Sequence, residues 1–221
     1  MTYPPAPWRL KGYGIQTLHW VDVTQAAAFV PSELEIVSFL PGKTLAGIYV
    51  SAYEADSLLQ YNELIVVPAV VRYQKHMGAW ISHIYVDNED SVAGGREIWG
   101  LPKEMAEFSW HHHSQVSIRQ NQRELCRINY QQRMWSLSTW WKQELSGEVF
   151  GRLGSELLCF QGQLQSQLGL LTANLEIPPA SPFAALNLGQ PWLTLNLPNL
   201  ELVAGVPKSL GNQVNIKQSV L

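Results

Sequence analysis

Cysteine is nearly missing: Cys126 and Cys159 are the only two in the chain. That excludes a disulfide framework, and the wide spacing supplies no metal-type cysteine cluster, so two reduced thiols are expected. Charge is scarce too. Charged residues make up 15% of the sequence, and the 15 basic residues are scattered among 18 acidic ones, so the Lys/Arg block that tracks phosphates is lacking and no nucleic-acid partner is expected. Long apolar runs are also wanting: LIVVPAVV at 64–71 is the longest, well short of the roughly 20 residues that a membrane helix needs. The opening MTYPPAPWRL has no apolar segment of the kind a signal peptide carries. Taken together, these gaps predict a cytoplasmic protein with no transmembrane segment, and neither internal repeats nor low-complexity tracts point elsewhere.

What is present is apolar material, 46% of the residues, enough to offset chain entropy in one domain spanning 1–221. The prolines of PPAPW forbid early helix, and a strand is predicted over IQTLHWV at 15–21. Asp22 or Thr24 can cap a short helix, TQAAAFV at 24–30, that Pro31 ends. Segments 45–53, 63–71 and 79–87 are rich in β-branched and aromatic residues and separated by polar turns, as consecutive strands are. Pro68 within the second marks an edge or a bulge. NEDSVAGGREIWG has its acidic residues where a helix start favours them, although paired glycines weaken a helix. Further β-segments are predicted over 105–120, 124–141, 157–171 and 192–206, the last placing Leu193, Leu195 and Leu197 on one face. IPPASPF at 177–183 reads as a loop. The fold class is mainly β with a few short helices.

One helical block between two strand-like segments ends in Pro102-Lys103. The stretch YVDNEDSVAGGREIWGLPKEMAEF, 85–108, resembles the signature of the acetoacetate decarboxylase family. Upstream, LHWVDVTQAAAFVPSELEI at 18–36 and YNELIVVPAVV at 61–71 are similar to further segments of that family. The resemblance implies an antiparallel β-barrel or cone, assembly as a homo-oligomer, and a Schiff base between Lys103 and a keto acid, with Glu63 as the second catalytic group. The N-terminal half, through 4–21 and 28–56, looks closest to the plant neoxanthin-deficient protein branch. That branch implies a role connected with carotenoids and no lysine mechanism, so a non-enzymatic binder of an apolar isoprenoid or carotenoid is the alternative.

Schiff-base lyase chemistry explains why one lysine suffices. A neutral amine condenses with the ketone, the iminium accepts the electrons left by departing carbon dioxide, and the enamine is protonated and hydrolysed. No cofactor is needed. An ordinary lysine, with pKa near ~10.4, is protonated at neutral pH, so Lys103 is expected in a dry recess. Arg96 is a candidate to hold a substrate carboxylate through paired donors, Glu97 to orient it, and Trp99 to wall the site; a structural salt bridge is the plainer account of the first two. The resemblance also shows departures. Family members that act on acetoacetate carry a second lysine after the nucleophile, where this chain has Glu104; a further family glutamate aligns near Ile48, and an N-terminal arginine near Gly12, with Arg9 and Lys11 close by.

Other features invite chemistry less strongly. His111 and His113 of the HHH run share a face in a strand, with no third ligand in view, so no metal site is expected there. His83 reads as a hydrogen-bonded strand residue. The tryptophans, Trp140 and Trp141 included, suit either a greasy pocket or core filling.

Overall fold

A computed structural model describes residues 3–111, 114–136 and 142–211, with the backbone alone at 132–136. The chain forms β1 (Trp8–Asp22), a short helix α1 (Val23–Ala26) that tightens into a 3-10 turn at Ala27–Phe29, β2 (Glu35–Ile36), β3 (Lys43–Tyr53), β4 (Tyr61–Val67), β5 (Ala69–Tyr73), β6 (His76–Trp80) and β7 (His83–Val86). The helix α2 (Glu89–Trp99) follows, then β8 (Lys103–Met105), β9 (Glu107–His111), β10 (Gln115–Gln120), β11 (Arg123–Ser136), β12 (Gln143–Leu153), β13 (Glu156–Ser166), β14 (Gly169–Glu176), β15 (Leu193–Ala204) and β16 (Lys208–Ser209). Among the described residues the protein is thus mainly β, as predicted, and IPPASPF connects β14 to a 3-10 turn at Ala184–Leu186.

The strands pair into one sheet whose path runs β2-β5-β6-β12-β13-β15-β1-β3-β4-β7-β8, with β14, β11, β10 and β9 branching from β15. Most neighbours are antiparallel, but β7 and β8 run parallel, as do β6 and β12. The expected antiparallel barrel or cone is corrected accordingly: the sheet is mixed and its path is open. The reason for one exception is local, because a parallel pair needs a crossover connection and α2 supplies it between β7 and β8.

Pro68 separates two strands outright. Lacking a ladder donor, it ends β4, which pairs with β3 and β7, and the chain resumes as β5 beside β2 and β6. Segments 79–87, 105–120 and 157–171, each read as one run, likewise divide, at Ile81–Ser82, at Ala106 and Ser114, and at Gln167–Leu168. Trp140 and Trp141 lie outside the described residues.

Period-2 alternation along the strands builds an apolar cluster on each face. Strand β3 sends Ile48 and Val50 into one, with Phe150, Ile118, Leu125 and Phe183, and Tyr49 and Tyr53 into the other, with Trp8, Trp99, Ile84 and Phe160. Leu197 is buried in the second cluster and Leu195 packs against it, while Asn199, at φ 49°, lets β15 bulge opposite Gly12 and Gly14 of β1.

Candidate active site

The site lies in the second cluster, and alternation selects its residues. On β4, Tyr61, Glu63 and Ile65 face this cluster while Leu64 and Val66 face the other; on β8, Lys103 faces it and Glu104 points away. The β7-α2-β8 unit then sets Lys103 against the helix. Asn88 caps α2, its side chain accepting from the Ser91 backbone amide at 2.9 Å, and Gly100 ends the helix at φ 63°, the left-handed conformation that glycine tolerates. The paired glycines that weakened the helical reading have a packing role: a Cβ at Gly94 would stand 2.5 Å from the Trp8 ring, and one at Gly95 2.5 Å from Lys103 Cδ. Helix α2 offers a bare strip along which the lysine side chain lies.

Lys103 is 4% exposed. Its Nζ donates to Glu63 Oε1 at 2.8 Å, to Ser91 Oγ at 3.0 Å and, more weakly, to Tyr61 OH at 3.4 Å. It also stands 5.0 Å from the Tyr61 ring centroid and 5.6 Å from that of Trp8, within cation–π range. Glu63, 3% exposed, accepts on its other oxygen from Tyr53 OH at 3.0 Å, and Tyr53 OH lies 3.2 Å from Tyr49 OH. Burial, with the Glu63 charge as the second cause, pushes Tyr53 and Tyr61 well above the ordinary phenol range. They remain phenols at neutral pH.

Nζ and the carboxylate stand at the polar end of a cavity of about 110 Å³ whose walls include Leu10, Ile65, Ile84, Trp99, Leu101 and Phe160. Both indole N–H groups near it are spent elsewhere, Trp8 on Pro4 O at 2.8 Å and Trp99 on Gly205 O at 2.7 Å. Trp99 therefore offers an apolar wall. An engineered apolar void of about 150 Å³ takes up benzene, so this cavity has room for a compound of a few heavy atoms.

Among the sequence-predicted residues, Lys103, Glu63 and Trp99 come together at this cavity. Arg96 and Glu97 do not line it: both are exposed on α2, Arg96 Nε donating to Lys103 O at 2.7 Å and Glu97 accepting from Tyr3 OH. Arg96 acts on the lysine backbone instead. Glu104 bonds Gln120 Nε2 at 2.6 Å on the far side of the strand, so it neither quenches nor activates the amine. Ile48 is buried in the opposite cluster, and Arg9 and Lys11 are exposed, the latter paired with Asp56 at 3.2 Å. Tyr53, Tyr61, Ser91 and Trp8 were missed. A signal existed for two of them, since Tyr61 and Glu63 share a strand face and Ser91 and Gly95 share a helix face.

His83 is a packing residue, its Nδ1 3.0 Å from Ser82 Oγ and its ring among Phe29, Tyr85 and Phe183. His111 ends β9, and His112 and His113 lie outside the described residues. No helix among the described residues is long and apolar enough to cross a membrane.

Comparisons with known proteins bear on the family and the overall fold. Residues 1–144 match the family model described as acetoacetate decarboxylase (ADC). Protein NEOXANTHIN-DEFICIENT 1 of Solanum lycopersicum is 32% identical over 107 residues, 48% of this chain and 36% of that protein. Acetoacetate decarboxylase 1 of Bradyrhizobium diazoefficiens is likewise 32% identical over 107 residues, 47% of this chain and 40% of the enzyme. The matched stretch thus spans well under half the length of these curated relatives. In three dimensions the acetoacetate decarboxylase of Legionella pneumophila superposes with a TM-score of 0.75 at 16% identity, covering 96% of this chain and 90% of its own. The enduracididine biosynthesis enzyme MppR, solved with pyruvate, gives 0.68 at 12% identity, covering 96% and 93%. With a family model matched over residues 1–144, the chain belongs to the acetoacetate decarboxylase family.

Proposed function

We propose that the protein is a Schiff-base lyase in which Lys103 attacks the ketone of a small keto acid and Glu63 moves the protons. The observation that carries this reading is the placement of one amine, 4% exposed and 2.8 Å from a buried carboxylate, at the polar end of an apolar cavity. Attack requires the ammonium to lose a proton, and Glu63 Oε1 is the nearest acceptor. Transfer within the pair leaves an amine and a carboxylic acid, two neutral groups, at the end of a cavity lined mostly by apolar side chains. The amine adds to the carbonyl carbon, the Glu63 acid protonates the departing oxygen, and water leaves to give the iminium. The carbon–carboxylate bond then breaks, its electron pair flows into the iminium, and carbon dioxide departs. A proton delivered through Glu63 reaches the enamine carbon, and water returns the ketone and the free lysine. One proton is consumed per turnover.

The apolar walls favour this step order, because the substrate carboxylate enters a place that solvates it poorly and its charge disappears as carbon dioxide forms. The cavity also argues on size: about 110 Å³ is below the roughly 300–1,000 Å³ of sites for drug-sized ligands. A whole carotenoid exceeds it. Binding of an apolar metabolite is the second reading, supported by the apolar lining and by the likeness to Protein NEOXANTHIN-DEFICIENT 1.

The two readings part on one experiment. Incubation with a panel of β-keto acids and pyruvate, followed by borohydride, is expected to leave a reduced adduct on Lys103, located by peptide mass spectrometry and lost in Lys103→Ala. An inert Lys103 across the panel, with an apolar compound copurifying instead, would overturn the lyase reading in favour of binding.

A further inference from the structure

On the other cluster's side of the sheet, strand pairing brings together three side chains that are far apart in sequence. Glu148 of β12 lies opposite Gly78 of the parallel strand β6, and Cys159 of β13 lies opposite Phe150 of β12. Residues two apart on a strand share a face, so His76, Glu148 and Cys159 converge. An imidazole nitrogen, a carboxylate oxygen and Cys159 Sγ all lie within 4.8 Å of one another. His76 Nδ1 is 2.8 Å from Glu148 Oε1, and the second carboxylate oxygen accepts from the Met77 backbone amide at 3.1 Å.

We propose that His76, Glu148 and Cys159 form a tetrahedral site for a borderline divalent cation, zinc(II) by preference, with water or an exogenous donor in the fourth position. Three observations carry this. The donor set matches the ion: one nitrogen, one oxygen and one sulfur ligand suit zinc, where three carboxylates would suit magnesium or calcium. The charges close, since a 2+ ion with a thiolate, a carboxylate and a neutral imidazole makes a net-neutral centre, as a part-buried position requires. The thiol proton leaves to solvent on binding.

The third observation is space and support. The group opens onto a cavity of about 310 Å³ bordered also by Gln161, Val206, Lys208 and Leu210, which leaves room for a fourth ligand. Metal–ligand bonds of roughly 2.0–2.3 Å put tetrahedral ligands about 3.3–3.8 Å apart, so a small side-chain rotation closes the observed span. Glu148 already has the outer hydrogen bond, from Met77, that orients a ligating carboxylate. Phe160, next to Cys159, lines both this cavity and that of Lys103, and no step of the lysine chemistry passes through the ion.

The test is cobalt(II) titration of the full chain after chelator treatment. The expected result is one equivalent bound with tetrahedral visible bands and a thiolate-to-cobalt charge-transfer band in the near ultraviolet, all abolished by zinc(II). Cys159→Ser should lose the charge-transfer band and weaken binding by at least about 100-fold, beyond what loss of an outer-shell partner costs. His76→Gln and Glu148→Gln, at partly exposed positions that tolerate the change, should shift the visible bands and weaken binding by at least about 10-fold. A wild-type spectrum without the thiolate band overturns the proposal, whatever the folding of the variants. Cobalt held by the histidine run at 111–113 gives that outcome too, because it lacks the band and survives Cys159→Ser. A band unchanged in both His76→Gln and Glu148→Gln also overturns it.

Discussion

The Lys103–Glu63 pair decides most at the scale of single residues. Both groups are buried, and removing one partner of a buried ion pair leaves the other charged without compensation, a loss of about 3–5 kcal/mol. Lys103→Met should therefore destabilise the fold by about that amount in urea melts, and adding Glu63→Gln should restore most of it. A Lys103→Met protein as stable as the parent would show that the pair carries no such coupling. In adduct formation, Glu63→Gln is expected to slow the rate by about 10²–10⁴, the usual weight of a positioned acid–base group. Tyr53→Phe removes the donor to the second carboxylate oxygen, together with the hydroxyl partner of Tyr49, and a hydrogen bond to a charged group is worth about 1.5–3 kcal/mol. Single-turnover trapping should show that variant slowed by roughly 10-fold or more, and an unchanged rate would strip Tyr53 of any part in positioning Glu63.

Helix α2 governs the next scale. Gly95→Ala would normally favour a helix interior by about 0.5–1 kcal/mol, yet the new Cβ would meet Lys103 Cδ at 2.5 Å, and overpacking costs about 1–3 kcal/mol. The clash wins. Reductive trapping on Lys103 is expected to fall at least 10-fold in Gly95→Ala, with a net loss of about 1 kcal/mol in stability, whereas Gly154→Ala, with no atom near its Cβ but φ at 61°, should cost only stability. The same glycines show what the sequence could and could not tell. Helix α2 was legible from its acidic start, its lysine from the Pro-Lys motif and its strands from β-branched runs. The glycines counted against the helix because their purpose, close passage of Trp8 and Lys103, exists only after the chain has folded. Arg96 and Glu97 were misplaced for a related reason: nearness in sequence to Lys103 did not reveal that their helix turns them outward while Ser91 turns in.

The whole molecule couples these elements through a sheet whose long-range order no local pattern specified. The open, mixed path and the union of His76, Glu148 and Cys159 both depend on which strands pair, and periodicity fixes only which residues share a face. One buried group reports on that assembly as a unit. His19 of β1, fully buried, donates from Nδ1 to Leu188 O at 3.1 Å and accepts on Nε2 from the Thr17 hydroxyl at 2.8 Å, tying the central strand to the loop before β15. Burial lowers it from 6.5 to about 4. The folded protein thus keeps His19 neutral while the unfolded chain protonates it below its ordinary value, so the unfolded state binds more protons between those two values. Stability from this group is fully present above about pH 6.5 and declines as pH falls towards about 4, by on the order of 3 kcal/mol at the limit. Urea unfolding measured from about pH 7.5 to about 4.5 should show the midpoint falling with acidity in the parent. His19→Gln, less stable at neutral pH, should show a flatter profile, the difference between the two shrinking as pH drops. Parallel profiles would mean that His19 is hydrated in the native protein and that β1 and the 188–189 loop are not packed as one body.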